Sequence, residues 1–396
     1  MDELPLPALM QIRAFVRVAQ HGSISRACEV LLRAQSVITR SLHDLEHRLG
    51  AQLFERRASG MLLTPHAKAI LPRAMRILAE LESIPALLSR GPLEPVYLFQ
   101  TRRLEIFVKL CETHHMQTVA KAFDLTQPAI SAALKALENG VGTPLFERSS
   151  RGLQPTQASR DILYPIRRAL NDLRRLDSDI AHIDGSLRGR VTIGALPLGR
   201  TRILPQAIVA LLKQHPGVRV STNESPFDLL ALELRAGDLD FVFGALRDSD
   251  YATDLQGETL LCEEMVVLVR QGHPLLATAC TMTDLNNARW VLPRASTPAR
   301  QLLDAHFQNI GLPSPEPLVE TGDMAIIRGM LMHSDMLAVV SAHQLEYEIA
   351  SGELQALPLA LEDTARPIGL ICRTHSLPSP AAEALMTEIR KLIQHQ

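Results

Sequence analysis

The stretch RAQSVITRSLHDLEHRLGAQLFER at 33–56 returns as LTQPAISAALKALENGVGTPLFER at 125–148. Every matched pair sits at one offset of 92 residues. Phe15 pairs with Phe107, Gln35 with Gln127, Ile38 with Ile130, Leu42 with Leu134 and Leu45 with Leu137. The register runs on through Glu46 and Glu138, Gly50 and Gly142, and the two copies of LFER at 53–56 and 145–148. It still holds at Gly60 and Gly152, Thr64 and Thr156, and Ile70-Leu71 against Ile162-Leu163. No gap is needed over roughly sixty residues, the size of one supersecondary unit. The chain carries a duplicated module.

Each copy predicts an amphipathic helix (Met10–Gln20; Arg103–Glu112), a short helix (Ser25–Leu31; Thr118–Phe123), a turn, and a helix from Gln35 or Gln127. Thr126 suits an N-cap and Pro128 the first turn. Val37, Ile38, Leu42 and Leu45, like Ala129, Ile130, Leu134 and Leu137, recur at three-and-four spacing and are expected inside. Gln35, Ser36, Thr39, Arg40 and His43 then face outward, as do Gln127, Ser131 and Lys135. Gly50 or Gly142 ends the helix, LFER gives a strand, and Arg57–Leu63 or Ser149–Gln154 reads as a hairpin tip. Helix, turn, helix and a two-stranded wing suit a major groove, with base edges met by the polar helix start. Arg56 and Arg148 on the wings suit phosphate. The alternative from periodicity alone is a helical interaction domain with a solvated polar face.

The pattern A-x-x-L-x-x-(S/T)-Q-(P/S)-A-(I/V)-S…L-E…G…L-F-x-R…T resembles the DNA-binding domain of LysR-type transcriptional regulators. The copies depart from it differently. The first has Arg33 and Ala34 where an apolar residue and Ser or Thr are usual. The second has Phe123, Ala132 and Asn139-Gly140 at positions where leucine, a polar residue and a regular helix end are usual.

A long apolar-striped helix follows each wing. Pro65–Leu88 carries Ile70, Leu71, Ala74, Ile77, Leu78, Leu81 and Ile84; Ala158–Ile183 carries Ile162, Ile166, Leu170, Leu173, Leu176, Ile180 and Ile183. Such stripes need a covering helix. In the LysR family the corresponding helix pairs two subunits. Here a short connection, Ser89–Pro95, gives each stripe a partner in its own chain at high effective concentration, which favours an intrachain pseudo-dimer; the rival is that each helix pairs with its equivalent in a second chain.

From Arg190 the texture becomes α/β. The order V-T-I-G…LP…HP-G-V-R-V…G-D-L-D-F-V-F-G resembles the LysR effector domain, two subdomains of periplasmic-binding-protein type. The expected architecture is therefore multidomain: winged helix-turn-helix modules with linker helices at 1–92 and 93–185, then an α/β effector domain at 186–396. Subdomain I is expected at 186–270 and 355–396, and subdomain II at 271–354. Ligands of open α/β sheets sit beyond strand carboxyl ends, near helix N-termini. That selects Gly199, Arg200, Thr201, Ser296, Thr297, Thr321 and Asp323, although Ser296, Thr297 and Asp323 also read simply as N-caps. Trp290, the sole tryptophan, falls on a strand leading to Ser296-Thr297.

Net charge of −2 hides an asymmetry, +5 through Gly185 and −7 beyond it, which fits a nucleic-acid module joined to something else. No apolar run reaches membrane-spanning length, and MDELPLP is no signal peptide, so the expectation is cytoplasmic. The scattered Cys28, Cys111, Cys262, Cys280 and Cys372 read as reduced, mostly buried thiols. No metal-ligand spacing, phosphate loop or nucleophile elbow is present, and no cofactor is expected. The resulting reading is a LysR-like regulator that binds double-stranded promoter DNA, answers to a small-molecule effector and forms a homo-oligomer, a dimer or tetramer. Family resemblance points to a sugar or an aromatic or organic acid as effector. The rivals are an α/β enzyme using 186–396 with a dimerising front half, and a solute-binding protein.

Overall fold

The computed structural model describes residues 5–57, 60–89, 91, 95–149, 152–247 and 253–394. Both hairpin tips (58–59 and 150–151), most of the 89–95 connection and the expected boundary at 92–93 lie outside the described residues. The chain divides into two compact units, residues up to Gly189 and, apart from 235–238 and 379–381, the remainder.

In the first unit α1 (Leu9–His21), α2 (Ile24–Leu31) and α3 (Gln35–Leu49) are followed by β1 (Phe54–Arg57), β2 (Gly60–Leu63), α4 (Pro65–Glu82) and α5 (Ile84–Leu87). The same succession returns as α6 (Thr101–Thr113), α7 (Met116–Phe123), α8 (Gln127–Val141), β3 (Phe146–Ser149), β4 (Gly152–Pro155) and α9 (Gln157–Ile183). The repeated residues have repeated jobs. Glu46 Oε1 accepts from the Leu53 and Phe54 amides, and Glu138 Oε1 from those of Leu145 and Phe146, tying each third helix to its wing. Phe15 meets Phe54 at 5.6 Å between ring centroids, and Phe107 meets Phe146 at 6.0 Å. Thr64 and Thr156 cap the long helices while donating to Gln52 O and Pro144 O. The wing is pinned by the Met61 amide on Gly22 O in one copy and the Leu153 amide on His114 O in the other.

One apolar core runs through both copies. α4 and α9 pack along their length within the chain, and their ion pairs obey the offset of 92: Arg76 donates to Asp172 at 3.0 Å, and Arg168 to Glu80 at 2.6 and 2.7 Å. These two pairs exchange into each other when 92 is added or subtracted, as a pseudo-twofold axis requires. The Leu9 amide donates to Thr101 Oγ1 at 3.0 Å, again between equivalent positions. Three expectations about the stripes need correcting. α4 stops at Glu82 rather than Leu88, because Pro85 begins a separate turn. Leu71 is only half-buried, and Ile183, at the last turn of α9, is exposed.

The second unit holds two five-stranded sheets. The first has the order β6 (Gly217–Asn223), β5 (Arg188–Ala195), β7 (Phe241–Ala245), β14 (Arg366–Arg373), β8 (Leu255–Glu263), with α10 (Ile203–Gln214) and α11 (Phe227–Ala236) between strands and α16 (Pro380–Gln394) closing the chain. The second has the order β11 (Pro317–Glu320), β10 (Arg289–Leu292), β12 (Met336–Ser341), β9 (Met265–Arg270), β13 (Leu354–Ala356). Its helices are α12 (Met282–Asn287), α13 (Pro298–Asn309), α14 (Met324–His333) and α15 (Glu346–Ala350). Each sheet carries one parallel core extended by antiparallel strands (β5 with β7; β10 with β11 and β12).

The expected subdomain limits at 270 and 355 are wrong by a strand each. Met265–Arg270 and Leu354–Ala356 belong to the second sheet, and the crossings fall at Glu264 and between 357 and 365. β8 runs into β9 with one residue between them, so no loop signal marks the change. β8, β11 and β13 carry little signal in the sequence. β8 is mostly exposed, and β13 is three residues long with only Leu354 buried, which leaves little alternation to read.

Candidate nucleic-acid interface and effector cleft

The start of each third helix presents a polar face. On α3, Ile38, Leu42, Leu45 and Leu49 are buried, whereas Gln35, Ser36, Arg40 and His43 are exposed and Thr39 is half-buried. Val37, expected inside, is 48% exposed, since the buried row passes through Ile38 and leaves its neighbour on the rim. On α8, Ile130, Leu134, Leu137 and Val141 are buried, and Thr126, Gln127, Pro128, Ser131 and Lys135 are exposed. Arg40 is 85% exposed and lies 3.8 Å from Asp44 on the next turn. An exposed pair of that kind contributes little, about 0.3–0.5 kcal/mol, so Asp44 does not fix the guanidinium against a phosphate or a guanine. Thr126 accepts from the Ala129 amide, whereas Ala34 gives α3 no side-chain cap. Arg56 and Arg148 are exposed on β1 and β3.

One departure of the second copy, the glycine at 140, has a local cause. A Cβ on Gly140 would lie 2.4 Å from Tyr97 Cγ, so the glycine lets Tyr97 pack on α8. Its equivalent in the first copy is Arg48, which instead makes a two-bond pair with Asp177 of α9, both bonds 3.1 Å.

In the second unit the loop after β5 is held rather than open. Gly199 is buried beneath Phe243. Arg200 donates from Nε to Ala195 O (2.7 Å) and from Nη2 to Glu224 O (2.8 Å). Burial pulls its pKa below the ordinary guanidinium value, against the opposing pull of Glu224 and Asp323. Thr201 donates to His343 O at 3.3 Å, and Arg202 pairs with Glu346, so the first sheet's loop meets the segment after β12. Other expected contacts are spent on helix starts. Thr297 accepts from the Arg300 amide and donates to Arg294 O, and Asp323 accepts from the Ala325 and Ile326 amides. Thr321 Oγ1 accepts from the Asp323 amide, and Ser296 is exposed. Arg200 and Asp323 are thus brought within electrostatic reach, while Ser296 and Thr297 take the capping reading. Trp290 is fully buried, its Nε1 donating to Leu285 O at 2.8 Å, inside the second sheet's core.

A polar cluster at the sheet crossings was not foreseen. Glu263 ends β8, and Arg366 opens β14 directly opposite it; both are buried. His343 Nδ1 lies 2.6 Å from Glu263 Oε1. Desolvation pushes the Glu263 carboxyl above the usual range, with His343 and Arg366 pulling back. Ser341 Oγ and Arg366 Nε are buried without a hydrogen-bond partner among the described residues, the mark of a place where a ligand or water completes the network. These residues are far apart in sequence, and only the strand crossings gather them. The thiols are less buried than expected: Cys262 is exposed and the other four are half-buried. Among the described residues no helix is long and apolar enough to cross a membrane.

Comparison with known families matches the LysR substrate binding domain to residues 184–394. The bacterial regulatory helix-turn-helix protein, lysR family, matches at 9–68 and again at 101–160. A protein described as HTH-type transcriptional regulator GalR, from Pseudomonas putida, is 65% identical over 396 residues, the full length of both chains. A full-length OxyR variant from Pseudomonas aeruginosa superposes with a TM-score of 0.56 at 23% identity, covering 74% of this chain and 94% of its own. The full-length CbnR structure complexed with its target DNA gives 0.54 at 22% identity, covering 74% of this chain and 99% of its own. At those identities the structures speak for the fold.

Proposed function

Since the chain belongs to the LysR family of bacterial transcriptional regulators, we propose that its two helix-turn-helix units serve as a built-in pair on one operator. The coarser function is plain from the family: a DNA-binding regulator controlled by a small molecule in its C-terminal domain, and not an enzyme. What supports the finer reading is that α3 and α8 each present a polar face on one core whose long helices pair within the chain. The solved relatives add weight, because they are matched along nearly their whole length yet cover only 74% of this chain. α3 brings Gln35, Ser36, Thr39, Arg40 and His43 to a groove; α8 brings Gln127, Pro128, Ser131 and Lys135. These unlike sets read unlike half-sites, and Arg56 and Arg148 set the register on phosphate. We place the protein in the cytoplasm and expect more than one chain on promoter DNA.

For the effector, Arg200, Arg366 and the unsatisfied Ser341 hydroxyl favour an anion that also accepts and donates hydrogen bonds, such as an organic or aromatic acid or an acidic sugar. Footprinting of the full-length protein on its own upstream region, with and without pooled metabolites, tests both readings. Gln35→Ala should lose protection over one half-site and Gln127→Ala over the other. Loss over the same half-site in both variants, or a symmetric footprint, overturns the built-in pair. An effector response unchanged by Arg200→Ala and Ser341→Ala together removes the anion-binding reading.

A further inference from the structure

The seam between α4 and α9 is asymmetric in its charges, and the offset of 92 shows where. The pairs Arg76–Asp172 and Arg168–Glu80 are equivalents of each other and would form equally well between two copies of α4 or two copies of α9. Arg73 is different. Its side chain is 4% exposed, and it donates to Asp179 at 2.6 and 3.0 Å and to Asp172, 0% exposed, at 3.1 Å. Its equivalent in the second copy is Pro165, and the first-copy equivalent of Asp179 is Leu87. In an α4–α4 pair the buried guanidinium would keep a carboxylate, Glu80, in the place of Asp172, but would lose Asp179, whose equivalent is Leu87. An α9–α9 pair would bury Asp179 opposite Pro165, losing both bonds that Arg73 gives it. The neighbouring Arg48–Asp177 pair has the equivalents Gly140 and Pro85, which cannot replace it. A buried charge stripped of its partner is strongly unfavourable.

We propose that Arg73 and Asp179, with Arg48–Asp177 beside them, make α4 select the α9 surface and reject α4 of a second copy. The two DNA-reading units then come as one fixed, unlike pair, and chains do not join through these helices as the two subunits of an ordinary LysR dimer do. The selection deepens the built-in-pair reading and rests on it. It acts against α4–α4 and α9–α9 pairs even where the tether would allow them, while the short tether favours α9 of the same chain.

The test uses full-length protein carrying Glu80→Cys and Arg168→Cys, prepared in light and heavy isotope forms, unfolded and refolded together, then bridged with a short bifunctional maleimide. Bridges should join position 80 to position 168; mixed-label 80–80 and 168–168 bridges in the share that random pairing gives overturn the proposal. A second measurement isolates the charges from the tether. A protease site inserted after Gly91 is cut in the folded protein, and the pieces are weighed by native mass spectrometry after light and heavy samples are mixed. Unlike halves should stay together, with homopairs of the 1–91 piece at least about a hundredfold rarer. With Arg73→Met, Asp179→Leu, Arg48→Ala and Asp177→Ala combined, that preference should fall to the statistical ratio. Homopairs at the statistical level in the cut parent protein, or an unchanged preference in the quadruple variant, show that these charges are not the selector. A failed footprint alongside intact selection counts against the DNA reading alone.

Discussion

Replacing Arg73 with methionine removes one buried cation and leaves two carboxylates with unequal fates. Asp172 keeps Arg76 at 3.0 Å and Arg175 at 3.6 Å, whereas Asp179 loses the bonds of 2.6 and 3.0 Å. Breaking a buried pair from one side costs about 3–5 kcal/mol, since the remaining ion stays desolvated. In a unit of this size that corresponds to a fall of roughly 6–20 °C in melting temperature. The readouts separate the two units conveniently. Trp290 is the sole tryptophan and lies in the second unit, so its emission follows that unit, while helical circular dichroism follows both. Arg73→Met should move an early circular-dichroism transition and leave the Trp290 transition where it was. Adding Asp179→Leu should recover at least half of the loss, because an apolar replacement of both partners removes the stranded charge. A shift under about 1 kcal/mol for the single variant, or no recovery in the double, would refute the claim that this pair is buried and coupled.

Other outcomes follow from single residues. Arg56→Ala and Arg148→Ala should each weaken DNA binding evenly across sequences and reduce the salt slope by about 1, while Arg40→Ala should change sequence preference; a gel-shift salt series that shows neither effect contradicts the wing and helix assignments. Burial pushes the Cys111 thiol up to about 12 and Cys372 up to about 11. Because the thiolate is the reactive form, alkylation at Cys111 should be about a thousandfold slower at pH 8 than at an ordinary cysteine and rise about tenfold per pH unit; peptide mapping that finds it labelled as fast as the exposed Cys262 disproves the burial. Leu32 sits at φ 50 with 87% exposure, at the turn position occupied by Asp124 (φ 53) in the other copy. Leu32→Asn should stabilise the first unit by about 0.5–1 kcal/mol, and a lowered melting temperature would count against the left-handed turn.

The legible parts of this chain are those where one residue type has one physical use. Helix starts at Gln127 and Pro298 were readable because a cap, a proline and an apolar period agree there, the start at Met324 from its Asp323 cap, and that at Gln35 from its match to the second copy. The fold of the second half was readable as α/β, yet its sheet membership was not. Whether Met265–Arg270 pairs with β12 or continues the first sheet depends on partners some seventy residues away, and both choices bury the same valines. The effector cleft was half legible for a similar reason. Thr297 and Asp323 were visible as polar residues before helices, but a cap and a ligand contact look identical until their hydrogen bonds are seen. The Glu263–His343–Arg366 cluster left no local signal, because its members become neighbours only through strand crossings.

The repeat offers a comparison inside one chain, and it separates two kinds of position. Residues identical in both copies, such as Glu46 and Glu138, Phe15 and Phe107, or Thr64 and Thr156, hold helix, wing and long helix together in each copy by the same bonds. Those bonds are needed twice, so neither copy can give them up without losing its own fold. Among the residues that differ, two groups matter for the pairing and the polar faces. Arg40 against Ala132 and His43 against Lys135 stand on the polar helix faces; Arg48 against Gly140 and Arg73 against Pro165 stand against or along the seam. If the copies were interchangeable halves of a symmetric reader, the seam would have no reason to be unlike, because a symmetric seam satisfies identical halves. An asymmetric seam orders the two units. On the proposed built-in-pair reading, the seam fixes which polar helix face lies on which side, and the unlike faces give that order a meaning on DNA.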